Sequence, residues 1–146
     1  MEPGFFVRDY TETDFPEMMM LWEDIGLGGA HRGDDSQVIA RTLQMGGRLL
    51  LLIEQVSGKI IGTSWLTVDG RRTYIHHFGI HSQYQGKGLA KVLLDASLKV
   101  EKTFGMQIKL EVHKDNAKAI SLYSKSVFVS LGDYQVYIIR DISSIS

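Results

Sequence analysis

The stretch Gln85-Gly86-Lys87-Gly88 marks the point where the chain changes from an extended run to a helix. Residues 72–80 before it are extended and rich in aromatic side chains, and apolar residues after it recur every three or four positions from Leu89 to Phe104. Two glycines one residue apart let the backbone approach a ligand closely, because no Cβ stands in the way. The first amides of a helix lack partners within it and carry a partial positive charge. The corner therefore predicts an anion cradle over residues 86–90, although a plain turn is the alternative.

Two other phosphate-binding motifs fit this corner less well. A P-loop requires Ser or Thr after its lysine, whereas Lys87 is followed by Gly88. The dinucleotide fingerprint requires glycine or alanine three residues beyond its second glycine, and Lys91 stands there. The cradle is therefore of another kind.

Hydrophobic periodicity places the corner in the middle of an alternating series of strands and helices. A first helix begins near Thr13 and reaches Ile25, and a second, with Ser36 as a possible cap, ends at Met45. The later helices are predicted at 89–104 and 117–124. Strands are predicted at residues 5–10, 48–55, 59–68, 72–80, 107–112, 127–129 and 135–139. The order is β-α-α-β-β-β-α-β-α-β-β.

Composition excludes several classes of protein. A chain of 146 residues predicts one domain, residues 1–146, with a tail at 143–146 that frays. A formal net charge of −1 argues against nucleic acid, and the longest apolar run is too short to span a membrane, so we expect a cytoplasmic protein. The absence of cysteine excludes disulfides, thiolate zinc sites and an acyl group carried on an enzyme thiol. The five histidines have no metal-binding spacing, so no metal is expected.

Two motifs resemble those of the GNAT superfamily of N-acetyltransferases. The run Gln83-Tyr84-Gln85-Gly86-Lys87-Gly88 matches its Q/R-x-x-G-x-G/A signature, and Leu110-Glu111-Val112 with Asn116 and Tyr123 is similar to its second acetyl-CoA motif. One departure is Val127-Phe128, where members usually have Gly-Phe. The resemblance implies an α/β (α+β) fold: a mixed, mostly antiparallel sheet of six to seven strands with about four helices, in which a splayed parallel pair forms the CoA cleft.

The same resemblance implies acetyl-CoA as cosubstrate, bound between residues 74–80 and 107–112. The pyrophosphate would lie on the glycine corner and the pantetheine along the strand before it, with Lys87 and Lys91 either near the phosphates or merely solvated. The implied cofactor-binding residues are Phe78, Gly79, Ile80, Gln85, Gly86, Lys87, Gly88, Leu89, Ala90, Asn116 and Tyr123. Asn116 also has the position of an ordinary helix N-cap.

The resemblance further implies direct transfer of the acetyl group to an amine within a ternary complex, without a covalent enzyme intermediate. An amine is mostly protonated at neutral pH, so a base or a water chain must remove a proton. Strand alternation puts Tyr74, His76 and Phe78 on one face and His77 on the other, so only one histidine can face the cleft. His76 is preferred to His77 as that residue, and the alternative is that both histidines only pack or hydrogen-bond. Tyr123 matches the family's acid, which protonates the leaving thiolate; a packed aromatic is the alternative.

The acceptor is not identified by the sequence. A small-molecule amine, a protein N-terminus and a lysine side chain all remain open, as do a non-catalytic CoA sensor and a transferase of a different acyl group. The loop 26–35 would roof the acceptor, where Asp34 and Asp35 either attract an amine or start the next helix. A homodimer through an apolar edge at residues 136–139 is possible.

Overall fold

The computed structural model describes residues 4–28 and 32–146. The chain divides into two compact units, residues 1–111 and 112–146, each with its own internal packing. The single domain expected from the sequence stays a prediction.

The first unit contains a mixed, mostly antiparallel sheet, as predicted. Its strands are β1 (Phe5–Asp9), β2 (Arg48–Glu54), β3 (Ile60–Val68), β4 (Arg72–Ile80) and β5 (Gln107–Leu110). They lie in the order β1-β2-β3-β4-β5, with antiparallel pairs throughout except for the parallel pair β4–β5. A parallel pair needs a long crossover, and the helix after the glycine corner supplies it.

Four α-helices lie within the described residues. They are α1 (Phe15–Asp24), α2 (Ser36–Gln44) and α3 (Leu89–Phe104) in the first unit and α4 (Ala117–Ser124) in the second. The predicted cap Ser36 is wrong by one residue: Asp35 is the N-cap of α2, because its extended backbone lets its carboxylate accept the N–H of Val38 at 2.9 Å. At the C-terminal end of α3, Gly105 adopts the left-handed conformation, with φ +71°, and the helix ends there.

The sheet of the first unit is covered on both faces. On one face Leu49 and Leu51 of β2 pack with Trp22 of α1 and Ile39 of α2, whereas on the other Leu52 packs with Leu93 of α3. A strand that alternates between two covered faces has no polar side, which explains the unbroken apolar run of β2.

The predicted strands at residues 127–129 and 135–139 are absent from the described structure, so the sheet has five strands where six to seven were expected. Their apolar side chains are between 61% and 88% exposed: Val127, Val129, Val136, Tyr137, Ile138 and Ile139. Local propensity does not make a strand without a neighbour to pair with. A turn does form between these two segments, since the N–H of Tyr134 donates to the carbonyl of Leu131. Residues 143–146, expected to fray, begin inside a short 3-10 turn, Ile142–Ser144.

A buried hydroxyl joins α1 to β3 and β4. The indole N–H of Trp22 donates to Thr63 Oγ1 at 2.9 Å, and Thr63 Oγ1 donates to the carbonyl oxygen of His77 at 2.6 Å. Neither Trp22 nor Thr63 is exposed to solvent. The Thr63 hydroxyl therefore satisfies both the Trp22 N–H and the His77 carbonyl, and this one side chain connects α1, β3 and β4.

Replacement of Thr63 by valine tests this linkage. The Thr63→Val variant keeps the shape of the side chain but leaves the Trp22 N–H and the His77 carbonyl without their partner, which typically costs about 1–3 kcal/mol for each buried group. We expect the free energy of unfolding in urea to fall by about 2–4 kcal/mol. The control is Thr103→Val, at an exposed position where the hydroxyl bonds only within α3. A loss no larger than that of the control would contradict the linkage.

Candidate active site

Strands β4 and β5 separate partway along their length. They pair in parallel only from Arg72 with Gln107 to Ile75 with Leu110, after which β5 ends and β4 continues to Ile80. The second half of β4 therefore has one edge with no strand beside it in the described structure. This opening corresponds to the splayed parallel pair that the resemblance implied.

The backbone N–H and C=O groups of successive β4 residues at this opening point alternately towards β3 and away from it. His81 N–H donates to the carbonyl of Ile61 on β3, and Gly79 is the register partner of Thr63 on the same strand. Because alternate residues direct their backbone groups to the same side, the groups of Gly79 face β3 and those of Phe78 and Ile80 face the opening. Two of the three residues expected to bind pantetheine thus present backbone groups there.

The glycine corner has the backbone that a cradle requires. Gly86 and Gly88 adopt φ of +80° and +78°, a region that L-residues rarely occupy, and a Cβ at either position would meet nothing within 4 Å. Gly88 is the N-cap of α3 and supplies no side-chain cap. Leu89 anchors the helix in the core and Ala90 is half-buried. The first amides of α3 are therefore presented without a capping side chain, with space in front of the glycines.

The polar side chains of the corner have contacts that the sequence did not predict. Gln85 Nε2 donates to the carbonyl of Ile80 at 3.0 Å, which ties the loop back to the end of β4. Lys87 Nζ lies 5.4 Å from the ring centre of Tyr84, whose hydroxyl donates to Glu54. Lys91 pairs with Asp95 at 2.7 Å on the exposed side of α3. Gln85 therefore shapes the loop through its bond to β4. Of the two lysines, Lys87 is held beside the loop by the ring of Tyr84, whereas Lys91 is paired with Asp95.

A bulge in β4 overturns the predicted alternation of its side chains. His77 has φ +45°, and the register with β3 shifts at this point, so β4 contains one extra residue. His76 and His77 consequently lie on the same face, with ring centres 6.1 and 5.4 Å from that of Trp65. Phe78 packs instead with the α3 cluster on the other face. Both histidines, not one, are on the α1–α2 face.

The segment between α1 and α2 packs against the bulge. A Cβ on Gly79 would lie 2.9 Å from Ile25 and 3.0 Å from Leu27, so the absence of a side chain lets this segment approach the strand. His77 Nε2 lies 3.4 Å from Asp34 Oδ2, too long and poorly aligned for a hydrogen bond. Asp34 thus faces the bulge, whereas Asp35 caps α2, the helix-start role that was the alternative for both. Residues 29–31 of the predicted roof lie outside the described residues.

The environment of His77 keeps its ring neutral. Its ring centre lies 4.2 Å from that of Trp22, and burial lowers the pKa of His77 from 6.5 to about 4, helped by the charges of His76 and Arg32. At neutral pH the contact with Asp34 is therefore not an ion pair. His77 is a packed residue of the bulge and an unsuitable partner for a proton at pH 7.

His76 lies in a cleft where the two strands separate. The cleft has a volume of about 340 Å³ and is lined by Thr67, Tyr74, Ile75, His76, Lys109, Leu110 and Glu111. His76 Nε2 is 2.8 Å from Thr67 Oγ1. Desolvation by the surrounding protein lowers the pKa of His76 below its usual value, and the carboxylate of Glu111 opposes this. A neutral imidazole is thus available at neutral pH.

Six of the seven residues that line this cleft are not among the predicted site residues: Thr67, Tyr74, Ile75, Lys109, Leu110 and Glu111. The parallel register, which pairs Ile75 with Leu110, brings Glu111 beside His76. Glu111 was already part of the quoted motif Leu110-Glu111-Val112, and pairing the two predicted strands from their N-terminal ends would have found it.

The second unit holds the other two predicted site residues. Asn116 is the N-cap of α4, and its Oδ1 accepts the N–H of Ala119 at 3.1 Å. Tyr123 is 8% exposed and packs edge-on against Phe128 with ring centres 5.5 Å apart. Phe128 thus packs although Val127 stands where members of the family usually have glycine. Burial raises the pKa of Tyr123 to about 12, so its hydroxyl stays protonated over the range in which proteins work.

The described residues contain neither a metal-ligand cluster nor a helix able to span a membrane. No group of three or more His, Asp or Glu side chains is arranged to hold a metal ion within the described ranges. In those ranges, too, every helix is too short or too polar to cross a membrane.

Comparisons with known proteins agree with this geometry. Residues 7–127 match the sequence model of the Acetyltransferase (GNAT) family. An acetyltransferase of Yersinia enterocolitica serotype O:8 / biotype 1B is 31% identical over 120 residues, which are 82% of this chain and 84% of that protein.

Solved structures of acetyltransferases share the fold. A GNAT-family acetyltransferase from Staphylococcus aureus Mu50 aligns with a TM-score of 0.77 at 20% identity, over 90% of this chain and 88% of that one. The ribosomal-protein-S18-alanine N-acetyltransferase from Escherichia coli aligns with a TM-score of 0.69 at 20% identity, over 83% and 75%.

The depressed pKa of His77 predicts a pH dependence of stability. Between pH 6.5 and about 4 the unfolded His77 binds a proton that the folded one does not, so the free energy of unfolding falls as pH falls through this window. The slope from one such group is at most about 1.4 kcal/mol per pH unit. We expect His77→Asn to reduce this slope in urea unfolding measured at several pH values, whatever its stability at pH 7. His113→Asn, at an exposed position, is the control that keeps the slope; an equal slope in both variants would contradict the assignment.

Proposed function

Because this chain belongs to the acetyltransferase (GNAT) family and is an acyltransferase, we propose that it transfers the acetyl group of acetyl-CoA to a primary amine. The observation that carries the proposal is the glycine corner at the start of α3, which follows directly on the strand that separates from β5. An anion cradle and an open strand edge suit the two polar parts of a CoA molecule, its pyrophosphate and its pantetheine amides.

The residues at the corner fit such a ligand. The amides of residues 86–90 would bind the pyrophosphate, since the space in front of Gly86 and Gly88 is open to it. The backbone groups of Phe78 and Ile80 would bond to the pantetheine, although the carbonyl of Ile80 first has to be shared with Gln85. Lys87, beside the cradle, would add a positive charge. The bound ligand supplies a thioester carbonyl that an amine can attack.

The cleft at the opening supplies groups that can prepare the amine. An acceptor arrives as an ammonium ion, and a carboxylate at Glu111 attracts it. Its proton must leave before the nitrogen attacks the carbonyl carbon, and the neutral imidazole of His76 would accept that proton, directly or through a water. The new C–N bond forms as the C–S bond breaks, and the sulfur leaves as a thiolate that becomes a thiol when protonated.

Tyr123 is the proposed partner of that thiolate. A thiol has a pKa of about 8.5, so complete proton transfer from a tyrosine with a pKa of about 12 is uphill by about 5 kcal/mol. A hydroxyl that stays protonated can instead donate a hydrogen bond to the sulfur as its charge develops, which requires no transfer. The role is therefore stabilisation of the leaving group, followed by protonation from solvent.

The test of the proposal combines calorimetric titration with acetyl-CoA and a thiol-release assay over a panel of small amines, peptides with free N-termini and lysine peptides. We expect micromolar binding and release of CoA with at least one acceptor. Tyr123→Phe should then lower kcat by about 10²-fold or more, as loss of one transition-state donor typically does, while the Kd for acetyl-CoA is retained. Binding without release for any amine would favour a CoA sensor, release only with longer acyl-CoAs would favour another acyl group, and no binding would refute the cradle.

The cradle itself is tested at Gly86. Gly86→Ala costs about 1–2 kcal/mol of stability from the left-handed backbone and places a methyl group in the space in front of the amides. The control Gly58→Ala carries the same backbone strain, at φ +73° and with open space, in the turn between β2 and β3. We expect similar losses of stability in thermal unfolding, but at least tenfold weaker acetyl-CoA binding for Gly86→Ala alone. Equal affinities in the two folded variants would show that Gly86 only shapes the turn.

A further inference from the structure

We propose that the acceptor is an amine that also carries an anionic group about 7 Å from its nitrogen, with the amine at Glu111 and the anion at Lys109. This inference rests on the proposed transferase function and names the substrate class of that site. Two oppositely charged side chains of the cleft, Lys109 and Glu111, are the basis for it.

The cleft presents one cation and one anion on the same wall. Lys109 lies in β5, and Glu111 follows the last residue of that strand; both line the cleft. Two residues of extended chain span about 7 Å, which sets the separation of their Cα atoms. A ligand lying along this wall meets a positive charge and a negative charge in turn.

Neither charge is neutralised by an ion pair within the described part of the chain. Some surface charges of the first unit are paired, as in Arg8 with Asp14 and Arg48 with Asp9. Lys109 and Glu111 take part in no ion pair shorter than 4 Å in residues 4–28 and 32–146. Both are therefore available to a ligand of opposite charge pattern.

The position of the opening decides which end of the acceptor carries the amine. The strands separate after Ile75 and Leu110, so Glu111 and His76 lie at the separation, where the thioester would be reached. Lys109 is the register partner of Tyr74 in the part that remains paired, one step away from the opening. The reacting nitrogen belongs at Glu111, and the rest of the acceptor extends towards Lys109.

The size and walls of the cleft fit a small molecule. Its volume of about 340 Å³ lies at the lower end of the range for small-ligand sites. Ile75 and Leu110 also line the cleft. A polyamine or an aminoglycoside would instead bring a second cation against Lys109, which costs Coulomb energy.

Three linear amines with the same five-carbon spacer provide a matched probe: 6-aminohexanoate, pentylamine and cadaverine, whose far ends are anionic, neutral and cationic. Glucosamine 6-phosphate and glucosamine test whether phosphate serves as well as carboxylate. In calorimetry with CoA present, we expect 6-aminohexanoate to bind about fivefold more tightly than pentylamine, the upper range for an exposed ion pair, and cadaverine to bind most weakly. A thiol-release assay on the same amines should give the same order in KM.

Lys109→Met should remove the preference for the anionic amine while the Kd for acetyl-CoA stays unchanged. Lys99→Met, at an exposed position on α3, is the control that keeps it. Tighter binding of cadaverine, or an unchanged preference in Lys109→Met, would overturn the inference. The binding order decides the inference even without turnover, whereas absence of thiol release with every amine tested counts against the proposed function alone.

Discussion

The left-handed backbone of His77 is the constraint on which both sides of the candidate site depend. A φ of +45° is unfavourable for any residue with a side chain and persists only where the surroundings hold it. Here the Thr63 hydroxyl binds the carbonyl of His77, and the ring of Trp22 covers the imidazole. The extra residue then reverses the faces of every side chain that follows it. His77 joins His76 on the α1–α2 face, and Phe78 passes to the face of α3.

This reversal separates the two halves of the proposed reaction by the thickness of the sheet. The glycine corner and Phe78 belong to the α3 side, whereas His76 and the cleft with Glu111 belong to the α1–α2 side. Backbone hydrogen bonds close the sheet between them wherever β4 has a partner on both edges. The two sides can meet only beyond Ile75, where β5 ends its pairing. In the proposed reaction, the end of the β4–β5 pairing thus determines where the acetyl donor and the amine acceptor can meet.

The features that could be predicted from the sequence are those determined by residues close to them along the chain. Asn116 caps α4 and Gly105 ends α3 because each acts on the nearest turn of its own helix. The bulge could not be predicted in this way, since it depends on Thr63, a residue of the neighbouring strand. The same limit applies to residues 127–129 and 135–139: their β propensity is local, but a strand exists only with a partner. Glu111 was missed because its closeness to His76 follows from the β4–β5 register, which sequence alternation within one strand does not contain.

The location of Lys109 on a paired strand has a consequence for selectivity. Charges on long surface loops adjust to many ligands, but the backbone of Lys109 is fixed by its pairing with β4, opposite Tyr74. Tyr74 is itself held, because its hydroxyl donates to Asp69 at 3.0 Å and its ring stacks on His76. A rigid base leaves only the flexible lysine stem to adapt to the length of the acceptor. The spacing between Lys109 and Glu111 then selects by length as well as by charge, because an amine whose anion lies too near its nitrogen cannot reach both groups at once.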